Sequence, residues 1–126
     1  MSGVTYDAGA LIAAERRNRA VWAAHAEFQV RGLDPTVPAA VLGQVWRGGP
    51  QPMLSRFLRG CWIQPLDESI ARAAGAALAS SRTTDLVDAV VVVTAAARGD
   101  LVLTSDLHHL TRIAEALGVR LDLHEV

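Results

Sequence analysis

Short apolar runs, each too brief for a helix, alternate along this chain with amphipathic stretches too long for a strand. Residues 2–6 read as a buried strand, and Asp7 and Gly9 then turn the chain into a helix reaching about Arg17. Asn18 breaks that helix. A second runs from about Arg19 to Val30, with Val21, Trp22, Ala24, His25 and Phe28 at helical spacing, and Gly32-Leu33-Asp34-Pro35 stops it. Thr36-Val37-Pro38 is a minimal strand, limited by its proline. Residues 39–47 return to helix until Gly48-Gly49-Pro50, and Pro52 to Arg59 forms a shorter helix closed by Gly60. A strand lies within residues 61–66. Asp67 then caps a helix carrying Ile70, Ala74, Ala77 and Leu78 on one face. Leu101-Val102-Leu103-Thr104 is the clearest strand. The helix after it turns Leu107, Leu110, Ile113, Ala114 and Leu117 inward, with Gly118 at its C′ position. Val119, Leu121 and Leu123 alternate as a final strand. Strands joined through helices pair in parallel. The expected architecture is therefore α/β, a three-layer α/β/α sandwich around a central parallel sheet, with residues 1–126 as one domain.

One stretch carries conflicting signals. Val90-Val91-Val92-Val93 taken alone favours a strand. The Thr83-Thr84-Asp85 cap, the length of the segment and Ala95-Ala96-Ala97 favour a buried helix over residues 86–98, ended by Gly99.

A chain of 126 residues is long enough to bury one core. Its single cysteine, Cys61, excludes an internal disulfide and a thiolate zinc cluster, and points to a reducing cytoplasm. There is no basic, apolar signal-peptide pattern at the N-terminus, and the longest apolar runs fall short of a membrane span. Net charge is −1, so no global basic field gathers nucleic acid. All 12 basic residues are arginine, the side chain whose fork binds two phosphate oxygens at once. They cluster at Arg16, Arg17 and Arg19, at Arg47, and at Arg56 and Arg59, where solvated helix faces are the simpler explanation.

Four carboxylates carry the chemistry. Asp7 closes the first strand and Asp106 follows the clearest one; Asp85 and Asp88 open the ambiguous segment. Singly, each is well explained as a helix cap. Together they place acids at the carboxyl ends of strands, where open α/β sheets form their ligand crevice. Acids gathered there repel one another and call for a cation, and carboxylate oxygens suit magnesium or manganese. His25, His108, His109 and His124 read as ordinary surface or core histidines; His108 and His109 are adjacent and so point apart on a helix. No Walker motif, dinucleotide fingerprint or nucleophile elbow is present.

Val4-Thr5-Tyr6-Asp7-Ala8-Gly9-Ala10-Leu11, Asp85-Leu86-Val87-Asp88-Ala89 and Leu103-Thr104-Ser105-Asp106, in that order, resemble the PIN domain, and more narrowly the VapC-type ribonuclease toxins of bacterial toxin–antitoxin pairs. The resemblance spans essentially the whole chain. It implies a magnesium- or manganese-dependent endoribonuclease, a phosphodiester hydrolase in which Asp7, Asp88 and Asp106 hold the metal and Asp85 assists. Thr104 or Ser105 would fix a phosphate or a water. The RNA would be single-stranded or looped, because a small crevice admits an unpaired strand. The resemblance also implies a homodimer and a VapB-like antitoxin that sends a basic side chain into the acidic pocket.

The family's usual glutamate falls at Gln44 here, a neutral isostere, and Ala8 stands where a hydroxyl residue is common. Trp46, Met53, Leu54, Phe57 and Leu58 offer an apolar surface for the antitoxin. Two other readings stand beside the toxin. Gln44 suits a catalytically weak PIN domain that only binds RNA or protein. An acidic magnesium pocket also suits a phosphoacceptor or phosphohydrolase domain, although the chain has no lysine to neutralise phosphate.

Overall fold

A computed structural model describes residues 3–126, so Ser2, the first residue of the expected opening strand, lies outside the described residues. The described chain runs β1 (Val4–Tyr6), α1 (Ala8–Glu15), α2 (Arg19–Val30), β2 (Thr36–Pro38), α3 (Ala39–Val45), α4 (Pro52–Leu58), β3 (Trp62–Gln64), α5 (Glu68–Ser81), α6 (Leu86–Arg98), β4 (Leu101–Thr104), α7 (Leu107–Leu117) and β5 (Asp122–Glu125). The strands form one sheet in the order β3-β2-β1-β4-β5, and every neighbouring pair is parallel. Parallel pairing requires a crossover between consecutive strands, and right-handed crossovers running in opposite directions on the two sides of β1 put helices on both faces. Among the described residues, no helix is long and apolar enough to cross a membrane.

The conflicting stretch is a helix. Asp85 Oδ1 accepts the Asp88 N–H at 3.0 Å, closing the N-terminus, and Gly99 takes a left-handed φ of 69° at the C-terminus. Val90, Val91, Val92 and Ala95 are all buried, so the helix is apolar on most sides because protein surrounds it. Burial overrides the β preference of the valine run.

Element ends shift where side chains or backbone intervene. α1 stops at Glu15; Arg17 then adopts a φ of 62°, and Asn18 caps α2 by accepting the Val21 N–H. α3 ends at Val45, because Trp46 is extended. β5 starts only at Asp122, since the Val119 N–H bonds the Ala114 carbonyl and still belongs to the end of α7.

An aromatic knot fills the space between β1, α2 and α4. Phe57 stacks on His25 with ring centres 3.9 Å apart and on Tyr6 at 5.3 Å, and Trp22 meets it edge-on at 5.0 Å. The Tyr6 hydroxyl lies 2.8 Å from His25 Nδ1, which satisfies two polar groups inside the core. This overturns part of the expected partner surface: Leu54 and Phe57 are fully buried. The short α4 helix needs an apolar face to dock on α1, and these two residues are that face. Phe57→Ala is expected to cost about 3–5 kcal/mol in urea unfolding, through lost transfer energy and a cavity. Trp46→Ala, at a residue 42% exposed, is expected to cost about 1 kcal/mol or less. Equal costs would contradict this division between core and surface.

Candidate metal centre

The chain builds β1, β2 and β3 outward in one direction, then returns to place β4 and β5 on the other side of β1. The strand order therefore reverses between β1 and β4. The connections leaving these two strands diverge, and a crevice opens at their carboxyl ends. Tyr6 pairs with Leu103 in the ladder, so Asp7 and Thr104 leave the sheet side by side.

Thr104 joins the two strand ends. Its buried hydroxyl donates to Asp7 Oδ2 and accepts the Asp106 N–H at 2.8 Å. The other Asp7 oxygen caps α1, accepting the N–H groups of Gly9 at 2.8 Å and Ala10 at 3.4 Å. Gly9 has to lack a side chain here: a Cβ would stand 2.1 Å from Ser105 Oγ and 2.7 Å from the Ser105 backbone nitrogen.

Two more helix starts bring the remaining acids. Asp85 caps α6, which places Asp88 one turn into it. Asp106 caps α7 by accepting the His109 N–H at 3.3 Å. His109, three residues on, folds its imidazole back, so that Nδ1 lies 3.1 Å from Asp106 Oδ2 and 3.2 Å from Asp88 Oδ2. Asp88, Asp106 and His109 each offer a ligand atom within 4.8 Å of the other two. Asp7 stands just outside that triad, with its oxygens engaged by Thr104 and the α1 cap.

The electrostatics are those of a site short of positive charge. Burial pushes the Asp88 carboxyl up to about 6; Asp85, Asp106 and Asp7 add repulsion, and only His109 opposes them. Burial also raises Asp7, reinforced by Asp106 and countered by the Thr104 hydroxyl and the capping N–H groups. Asp88 Oδ2 is shielded from solvent and has no hydrogen-bond partner. A hard divalent cation fits this donor set, since it would pair that oxygen and offset the repulsion.

Neither a protein-family model nor a curated protein matches the sequence. The structure superposes on a chain of the VapBC2 complex from Rickettsia felis bound to a DNA fragment from their promoter, over 98% of each chain, with a TM-score of 0.74 and 14% sequence identity. The fold is PIN-like. The three-layer α/β arrangement expected from the sequence is thus the arrangement found.

Within this PIN-like fold, some expected site residues meet the acids and others do not. Asp7, Asp85, Asp88 and Asp106 converge. Thr104 is fully buried with its hydroxyl both donating to Asp7 and accepting from the Asp106 backbone, so it positions both acids. Ser105 is exposed and lines a cavity of about 470 Å³ with Gly9, Ile12, Arg16 and Asn18. Gln44 is exposed too, but it opens on a neighbouring cavity of about 260 Å³ with Ile12, Glu15, Arg16 and Arg47. Among the described residues no hydrogen bond or ion pair joins it to the acids, and α3 packs against both α1 and α6. Of the expected partner surface, Trp46 and Leu58 line an apolar groove with Ala39, Leu42 and Gly43, whereas Met53 is half-buried outside it.

Two residues stand out only in the structure. His109 looks ordinary in the sequence, yet its spacing of three from Asp106 on a helix is a local signal for their meeting. Gln51 is buried and ties the loop before α4, donating to Glu15 and to the Val45 carbonyl and accepting the Arg47 N–H; nothing local marks it.

The raised Asp88 value sets a pH dependence. Its folded-state value lies above the ordinary 3.8, so the folded protein binds the extra proton between the two values. That contribution to stability is fully present below 3.8 and is lost as pH rises through about 6. In metal-free buffer, urea unfolding from about pH 4 to about pH 8 should show wild type losing on the order of 2–3 kcal/mol relative to Asp88→Asn. The comparison with the variant cancels His25, whose depressed value acts in the opposite sense. A pH-independent difference would show that Asp88 ionises as an unhindered carboxylate.

Proposed function

We propose that this chain is a divalent-metal-dependent endoribonuclease of the VapC type, working as the toxin of a toxin–antitoxin pair, with residues 1–126 acting as one PIN-like unit. The observation that carries the reading is the gathering of Asp7, Asp85, Asp88 and Asp106 at the β1/β4 reversal, around a shielded Asp88 oxygen that has no hydrogen-bond partner. The likeness to a chain of the VapBC2 complex supports it.

Asp88 and Asp106 hold a magnesium or manganese ion, with Asp7 beside them in the same field. Such a cation supplies charge to neutralise the scissile phosphate and to acidify an attacking water. Thr104 keeps Asp7 and Asp106 in fixed register, so the acids are set before substrate arrives. Ser105 and Arg16 share the cavity beside the site, where a hydroxyl and a guanidinium receive the phosphates of an unpaired RNA strand. Asp85 adds negative charge and fixes the start of α6.

Gln44 favours a second reading. With a neutral side chain at that position, the chain could bind RNA or a partner while cleaving weakly. Cleavage of total RNA by purified protein separates the two. Activity is expected with manganese or magnesium and none with EDTA, and a loss of at least about a hundredfold in Asp88→Asn and Asp106→Asn. Cleavage that persists in EDTA sinks the metal mechanism; metal and RNA binding without cleavage selects the binding module.

The partner in this reading is a VapB-like antitoxin encoded beside the chain, and the toxin itself pairs as a homodimer. The apolar groove at Trp46 and Leu58 accepts an amphipathic segment of the antitoxin. In co-expression, Trp46→Ala is expected to weaken the complex by roughly thirtyfold, as loss of a central aromatic anchor does. Unchanged affinity would move the antitoxin to another face.

A further inference from the structure

The His109 imidazole stands between two acids of the proposed metal site. Its Nδ1 is 3.1 Å from Asp106 Oδ2 and 3.2 Å from Asp88 Oδ2. The second contact lacks hydrogen-bond geometry, and Asp88 Oδ2 has no other hydrogen-bond partner although it is hidden from solvent. Ion–ligand bonds of about 2.1 Å put neighbouring ligands of an octahedron roughly 3 Å apart. Both distances match that edge. The ring is held in place by its own backbone, which donates to Asp106 Oδ1 in the first turn of α7. It is also 45% exposed, so one side of the site stays open to water or substrate.

We propose that His109, through Nδ1, is a ligand to a divalent cation shared with Asp88 and Asp106. The mixed nitrogen and oxygen set makes the site prefer manganese or another first-row transition ion over magnesium. Magnesium takes oxygen ligands and sheds water reluctantly, whereas imidazole binds transition ions well. This rests on the metal site of the proposed function and adds its selectivity. The adjacent His108 is exposed and belongs to no such ligand group, and it takes no part.

The test is metal binding, not cleavage. Titrate manganese and magnesium by calorimetry into wild type, His109→Asn, His108→Asn and Asp106→Asn, each shown to be folded by circular dichroism. In parallel, record pulsed electron paramagnetic resonance of bound manganese for nitrogen coupling. His109→Asn is expected to lose roughly tenfold or more in manganese affinity and much less in magnesium affinity. Nitrogen coupling should be present in wild type and in His108→Asn and absent in His109→Asn. Saturable binding that needs Asp106 but shows no nitrogen coupling, or equal losses for both ions in His109→Asn, overturns the inference and leaves the acidic metal site standing. Failure of wild type to bind either ion overturns both.

Discussion

One buried hydroxyl ties the acidic end of this fold together. Thr104 closes β4, the neighbour of the central strand β1, donates to Asp7 at the end of β1 and accepts from the backbone of Asp106 at the start of α7. Asp7 in turn caps α1. Two strand ends and two helix starts thus share one chain of hydrogen bonds in a water-poor place, where each bond is stronger and each loss dearer than at the surface. Parallel pairing of β1 with β4 creates the opportunity, and the threonine makes the geometry single-valued.

Asp100 and Asp88 show how differently the fold treats two shielded carboxylates. Asp100, at the opposite end of the sheet, accepts from the Gly3 N–H, the Thr5 hydroxyl and the Arg98 guanidinium. Every oxygen has a donor, and the residue pins β1 to β4 as a structural strut. Asp88 faces three other acids and one half-exposed imidazole, and one of its oxygens lacks a hydrogen bond. The fold thus satisfies one shielded acid from its own donors and leaves the other short of them. Burial alone therefore does not mark a site; the donor count around the carboxylate does.

Much of this was legible along the chain. Asp67, Asp85, Gly99 and Gly118 are local signals for helix ends, and each does that work in the structure. The Val90–Val93 run was equivocal because period and propensity disagreed, and burial on most sides of α6 settled it. The role of α4 is ambiguous in the sequence for a related reason. Leu54 and Phe57 sit on a short helix whose apolar face suits a partner or the core alike, and only the ring stack on His25 and Tyr6 shows which one took it.

The sequence by itself determined the alternation of strand and helix, and with it a parallel sheet, because hydrophobic period and capping act within a few residues. It also put acids at the ends of β1 and β4, since a residue that ends a strand is read locally. What only the tertiary structure decided is which side chains meet. Strand order brought Asp7 beside Thr104, although nearly the whole chain lies between them. The packing of α6 against α7 brought His109 to Asp88, and the packing of α3 against α1 opened Gln44 onto a cavity beside Glu15 and Arg16. Such contacts depend on how distant elements stack, and no local pattern encodes a distance across the sheet.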